Sequence, residues 1–457
     1  MLYLLFFMTT LFIVVAATVR TGKRYNPLNF YIVFWGICSI VSLTNPFGLY
    51  DVSTRTYLIV WLNSTVFSIA YLLFYRNRKE AIRSDKLVNN KMLGTKKVLF
   101  IQLFVFVVLL FFYRRYSSLL DSLGLIDARR IVYDQGYLFN SSYELIFFTW
   151  VITPILYVSV LLLLSDFVMN GVKRLALYVS LINCVLFGLI GYGRFIHFQI
   201  IVYAIVAIGF KYDIHKKVIL NTVKMKKRTK LLLTLLIFTA VYFMNISSAK
   251  RLGRPIHGIK DHYDMLVNVS LNQLITYFTG PFRALDNFIN SNIIESTGHT
   301  YGRSFFGGLE EIVNTFVSFL GQSWTTANTV SNSFTANNIL IGNAQSFNAF
   351  YSSIMNHYLD GGIIFVAISA FFFGFLSVTA YNYYLKSPNL ITLSLNLFLT
   401  YHMIASEFRW SFTTPSIWIT FGILIWVNKR YNSKIKIIEA KETSPRFVNK
   451  HSFSLSK

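Results

Sequence analysis

Long apolar runs recur from one end of this chain to the other, and they limit what it can fold into more than any other feature. A bilayer core of about 30 Å needs roughly 20 apolar residues per helix. Eleven stretches come close to that length: residues 1–19, 29–48, 56–75, 98–113, 143–164, 175–190, 195–210, 231–246, 362–385, 389–405 and 414–428. Only 14% of the 457 residues are charged, against about 25% in an ordinary soluble domain. Apolar segments in lipid must satisfy their own backbone hydrogen bonds, so each run is expected to be a helix. The expected fold is an all-α polytopic membrane protein with about eleven transmembrane helices.

Lysine and arginine are retained on the cytoplasmic side of such chains. The densest basic segments, residues 76–97, 211–230 and 429–457, fall on one side if the N-terminus is outside and the C-terminus inside. That topology places 30 of the 43 Lys and Arg inside and 13 outside, with none in a span, and it places 13 of the 19 acids outside. The formal net charge of +24 therefore belongs to the cytoplasmic side. The basic balance is a topology signal, and nucleic acid is not expected as a partner. Residues 1–19 lack a basic leader, and Arg20, Lys23 and Arg24 follow them, so they read as an uncleaved first span. Cys38 and Cys184 both fall in spans, which argues against a disulfide framework or a cysteine metal site.

Eight spans occupy residues 1–246, interrupted by a medium outer loop at 114–142. A large extracytoplasmic loop covers 247–361, three spans fill 362–428, and a basic cytoplasmic tail follows at 429–457. A structureless loop of that length is improbable, and long ordered loops carry function. Val267, Leu271, Leu274 and Phe278 have helical spacing, closed by Gly280-Pro281. Phe305, Leu309, Ile312, Val313, Phe316 and Leu320 share a second helical face. Both read as amphipathic helices on the membrane domain or in its interface. The uncharged polar run 325–348 could hydrogen-bond sugar hydroxyls, although a plain polar loop is the commoner explanation of such a composition. No P-loop, HExxH, GxSxG or EF-hand pattern occurs. Titratable groups are scarce within the spans, which weighs against an ion-coupled carrier.

Outside, 11 of the 13 cations are arginines; inside, 21 of 30 are lysines. Arginine offers a planar fork matched to phosphate and carboxylate oxygens. The Arg-rich outer face suggests a fixed anionic ligand there, although pairing with the outer acids explains most of these arginines one at a time. Arg194 is the most pointed case, in GYGR at the opening of a span.

GYGR (191–194), SAKRLGRP (248–255), YFTGPFRALDNFI (277–289), GRSFFGG (302–308) and the closing NAFYSSIMNHYLDGG (348–362) form a pattern across roughly residues 90–430. The pattern resembles the oligosaccharide repeat unit polymerases, the O-antigen and capsule polymerases of the Wzy type, which are related to the O-antigen ligases. The resemblance implies a GT-C-like architecture in the bacterial plasma membrane with an active site on the extracytoplasmic face. It implies a metal-independent glycosyltransferase without a cofactor. Such an enzyme moves a growing glycan from one polyprenyl pyrophosphate to the terminal sugar of another lipid-linked repeat unit. A chain-length regulator and a flippase would be its protein partners. Ligases place a histidine about a dozen residues before a glycine of the closing motif; here His357 lies four before Gly361, which favours a polymerase.

That reaction leaves charge on a pyrophosphate, and fixed cations must stabilise it. Arg194 is the first candidate, with glycines at 191 and 193 permitting close approach. Arg251, Arg254, Arg283 and Arg303 are further candidates. Arg129 and Arg130 could clamp the second lipid, or pair with Asp127 or Asp134. For the base, His357, Asp360, Glu407 and His299 are available. Asp360 also reads as a cap for the span that follows, and Glu407 as an ion-pair partner of Arg409. Tyr277, Trp324 and Trp410 could stack on sugars or belong to an interfacial belt. The two other readings are an O-antigen ligase and a lipid-linked oligosaccharide flippase or transporter.

Overall fold

A computed structural model describes residues 1–76, 96–135, 138–172, 174–190, 193, 195–215, 258–291, 293–336, 338–343, 345–347 and 350–443, with isolated positions at 234, 242, 245 and 249. Helices carry most of these residues. They are α1 (Leu2–Thr21), α2 (Pro27–Leu43), α3 (Thr54–Phe74), α4 (Lys96–Gln135), α5 (Ser142–Asn170), α6 (Leu175–Leu189) and α7 (Phe195–His215). After them come α8 (Ile259–Met265), α9 (Leu271–Asn290), α10 (Gly307–Ser318), α11 (Ala327–Thr335), α12 (Ser352–Lys386), α13 (Leu390–Ala405) and α14 (Pro415–Thr443). The chain is all-α with six helices long and apolar enough to cross a membrane, and three shorter apolar ones, among the described residues. Ten of the eleven expected spans fall on helices; 231–246 lies outside the described residues except at 234, 242 and 245.

Several boundaries differ from the sequence reading. Helix α4 continues past residue 113 to Gln135, bending at Gly124, where φ is 75°. Tyr116 is buried in a cluster with Phe112 and Phe148, which carries the helix beyond the apolar run. Helix α12 starts at Ser352, ten residues before the expected span, and α14 runs on into the expected tail. Gly280-Pro281 does not close a helix, because α9 runs through it to Asn290. Tertiary packing overrides the local stop signal here. Residues 279–285 are buried, and a side chain at Gly280 would meet the Phe347 ring at 2.7 Å. The polar run 325–348 holds α11, capped by Thr326. It also holds a hairpin of β1 (Ile339–Gly342) and β2 (Gln345–Phe347), which docks on Tyr50 N–H through the Ile341 carbonyl at 2.8 Å.

Helices α3 and α12 pack so closely that a Cβ at Gly374 would strike the Phe67 carbonyl. Phe67 meets Phe373 at 5.6 Å and Tyr31 of α2 at 4.2 Å. Helix α9 seals the ends of α2 and α3. Arg283 donates to the Ser42 hydroxyl (2.7 Å), the Ser42 carbonyl (2.9 Å), Asn45 Oδ1 (2.8 Å) and the carbonyls of Tyr50 and Thr279 (both 2.9 Å). One turn later, the Asp286 carboxylate accepts from Ser53 N–H (3.2 Å), the Ser53 hydroxyl and the Thr56 hydroxyl (2.7 Å) at the start of α3. A cation thus closes a helix C-terminus and an anion an N-terminus, each matching the local helix dipole.

Candidate functional site

The turn 406–410 between α13 and α14 is where the separate sequence motifs meet. Its first residues tighten the end of α13, with Glu407 N–H donating to the Ile404 carbonyl and Phe408 N–H to the Ala405 carbonyl. Its carbonyls then satisfy the free N–H groups at the start of α12. Ser352 N–H donates to the Phe408 carbonyl at 2.9 Å, and Ser353 N–H to the Ser406 carbonyl at 2.8 Å. Ser352 itself has φ 61°, an uncommon conformation for a residue with a Cβ.

Phe408 is the centre of an aromatic cluster drawn from four other segments. Its ring meets Phe34 of α2 at 5.9 Å, Phe195 and Phe198 of α7 at 6.1 and 5.6 Å, Phe278 of α9 at 5.5 Å and Phe350 at 6.0 Å. Trp410 points the other way. Its indole N–H donates to the Phe305 carbonyl at 2.7 Å, and its ring meets those of Phe305, His357 and Phe373 at 4.7, 4.9 and 5.0 Å. One five-residue turn therefore joins the start of α7, the GRSFFGG segment and the NAFYSSIMNHYLDGG segment.

The DGG step is the second fixture. Helix α12 breaks at Gly361 and at Gly362, whose φ is 65° and ψ −151°, a region that only glycine enters without strain. The carbonyls freed by the break are taken up by the 299–301 segment, with Thr300 N–H donating to Leu359 and Tyr301 N–H to Asp360, both at 3.0 Å. Asp360 returns the contact. Its carboxylate accepts from the Thr300 hydroxyl (2.6 Å), Ser304 N–H (2.8 Å) and Phe305 N–H (2.8 Å). Asp360 thus caps the turn at 300–305 rather than the helix after it, because the break points its side chain at that turn. His299 Nδ1 lies 3.2 Å from the Leu359 carbonyl.

The remaining candidates separate clearly. His357 is buried between Phe305 and Trp410, and neither ring nitrogen has a hydrogen-bond partner. Glu407 does not pair with Arg409, since its carboxyl is buried and both oxygens lack a partner. Residues two apart on this turn face opposite ways, Glu407 into the core and Arg409 to the surface. Burial pushes the Glu407 carboxyl well above the ordinary glutamate range. Arg283 spends its five donors on the protein, so none is left for a ligand oxygen. Arg303 pairs with Glu310 at 2.5 Å and donates to the Thr325 carbonyl, as a loop anchor does. Trp324 donates to the same Glu310 at 3.0 Å. Tyr277 packs on Phe347 and Phe350 at 6.3 and 6.0 Å. Arg194, Arg251 and Arg254 lie outside the described residues, and the side chains of Arg129 and Arg130 are likewise not described.

Two arginines that the motifs did not single out as ligand contacts touch these segments. Arg55 donates to the Tyr358 hydroxyl at 3.1 Å. Arg409 lies with its guanidinium carbon 4.4 Å from the centroid of the Phe195 ring. Their only sequence signal is that both are arginines close to the ends of apolar runs, Arg55 in the first turn of α3 and Arg409 in the turn after α13. Comparison of the chain with protein-family models, curated proteins and solved structures returns no match.

Proposed function

We propose that this protein is a bacterial plasma-membrane glycosyltransferase that polymerises lipid-linked oligosaccharide repeat units on the extracytoplasmic face. The observation that carries the reading is the convergence on turn 406–410. Segments distant in sequence, each holding arginine or histidine next to large aromatic rings, join there at the outer side of the proposed topology. Such a place suits a substrate with a membrane-anchored diphosphate and a sugar chain. The buried rings of Phe408 and Trp410 make a rigid seat, and the exposed Arg409 between them carries a fork that matches phosphate oxygens.

In this reading the bond from the anomeric carbon to the diphosphate oxygen breaks, and its electron pair stays on the polyprenyl diphosphate. The acceptor hydroxyl oxygen takes the glycosyl group and gives up its proton. Arg194, next in the chain to Phe195, is the proposed cation for the leaving group. His299 is the proposed base: with Nδ1–H donating to the Leu359 carbonyl, Nε2 keeps its lone pair for the proton. His357 is too enclosed for this role.

The test is the surface glycan of cells lacking the protein, read beside elongation of lipid-linked repeats by the purified protein. Loss of long chains with one attached repeat retained supports the polymerase. Loss of all attached glycan would replace it with a ligase or a flippase.

A further inference from the structure

We infer that Arg409 is a phosphate-contacting residue, presenting its guanidinium to the diphosphate of a polyprenyl-linked glycan. The inference rests on the polymerase reading above and names a residue for its donor.

Arg409 is exposed, and no carboxylate pairs with it among the described residues. The nearest acid in sequence, Glu407, is buried on the opposite side of the turn. Arg409 is nonetheless held in place. Its N–H donates to the Ala405 carbonyl at 3.0 Å, the preceding Phe408 is locked in the aromatic cluster, and its guanidinium lies over Phe195 at 4.4 Å. The cation is held by the ring rather than by a carboxylate, and the exposed side chain keeps guanidinium N–H donors for a ligand.

The electrostatics point the same way. Phe195 is the first residue of α7, a helix of 21 residues, so the cation stands at the positive end of a helix dipole. Cations are favoured at the other end. A fixed cation in that position, with the neighbouring carboxylate turned inward, is complementary to a multiply charged anion. At the head of a membrane helix, such anions are the phosphates of lipids. A diphosphate lipid fits two positive sources better than a phosphodiester headgroup with a single charge. During transfer the leaving diphosphate gains negative charge as the anomeric bond breaks, and a guanidinium at its oxygens strengthens its contact as that happens.

The experiment uses the full-length protein in phosphatidylcholine nanodiscs, with undecaprenyl diphosphate as probe and phosphatidylglycerol as the competing headgroup. Wild type, Arg409→Gln, Arg409→Lys and Phe195→Leu are compared, with thermal unfolding read on each preparation. Arg409→Gln should weaken undecaprenyl diphosphate binding about tenfold or more, as loss of one charge-assisted contact does. Arg409→Lys and Phe195→Leu should fall between it and wild type, and phosphatidylglycerol binding should be unchanged. Unchanged diphosphate affinity in Arg409→Gln overturns the assignment. Equal loss of both lipids makes the site a general headgroup contact and also overturns it. If Arg409→Gln unfolds, Arg409→Lys decides, because a residue needed only for its positive charge would bind the diphosphate as wild type does. A wild type that does not bind the probe refutes the polymerase reading itself, and is thereby distinguishable from failure of Arg409 alone.

Discussion

The carboxylate of Asp360 grips the backbone of Ser304, accepting its N–H at 2.8 Å across a break in its own helix. The residue that the closing motif offered as a base is thereby the fastening between α12 and the 299–306 segment. Asp360→Ala should lower the thermal stability of the solubilised protein, at about 1–3 kcal/mol for charged hydrogen bonds lost to buried donors. At matched folded protein it should elongate chains at near the wild-type rate. A folded Asp360→Ala protein without turnover would return Asp360 to the list of bases.

Two glycines offer a matched comparison. Gly362 has φ 65° and ψ −151°, whereas Gly422 lies within α14 and a Cβ there would meet nothing within 4 Å. Gly362→Ala should destabilise by about 1–3 kcal/mol. Gly422→Ala should be neutral or stabilise by up to about 1 kcal/mol. Melting temperatures of the two variants, measured side by side, test this; equal shifts would refute the glycine requirement at the break.

Glu407 gives a pH dependence with a definite sign. Burial raises its carboxyl pKa in the folded protein, so the folded state keeps the proton at pH values where the unfolded chain has lost it. Its contribution is present in full below the ordinary glutamate pKa and is lost as pH rises toward the folded value. The slope is at most about 1.4 kcal/mol per pH unit. Stability curves from pH 4 to pH 8 should therefore decline less steeply for Glu407→Gln than for wild type. Parallel curves would mean that Glu407 is ionised in the fold.

His299 and His357 should separate by what they damage. His299→Asn keeps a donor for the Leu359 carbonyl, so the protein should fold but lose turnover about 10²–10⁴-fold, in line with removal of a general base. His357→Asn places an amide in an apolar box and should lower the melting temperature, with turnover per folded molecule little changed. Chain elongation at matched folded protein reads both; the reverse pattern would exchange their roles.

Sidedness is open to direct test. Reporter fusions after Lys97, Lys230 and Lys457 should read cytoplasmic, and fusions within 285–300 should read extracytoplasmic. An outside C-terminus would invert the topology and remove the donor site from the face proposed for it.

The helical architecture was legible because apolar runs are long and a membrane allows few alternatives to a helix. Its ends were less so. Gly280-Pro281 has the composition of a helix stop, and only the Phe347 ring against it explains why α9 continues. The 325–348 run hid α11 and a hairpin, because serine, threonine and asparagine suit caps and turns as well as plain loops. Among the candidate residues, spacing could not tell that Glu407 and Arg409 face apart. It could not reveal Arg283 as a structural fastening either, since its partner Ser42 is 241 positions away. The motif segments lie far apart in the sequence. The contacts that unite them at Phe408 and Trp410 are tertiary and leave no periodic trace.

The Arg283 and Asp286 contacts also bear on the order of biogenesis. A ribosome delivers α2 and α3 early, yet the groups that close their facing ends arrive 241 and 233 residues later. Until more than half of the chain has been made, α2 and α3 must sit in the membrane with those ends held by water or by the insertion machinery. Chains truncated before residue 283 should therefore insert but remain open to protease at 44–53, and coexpressing the missing C-terminal part as a separate polypeptide should close that window.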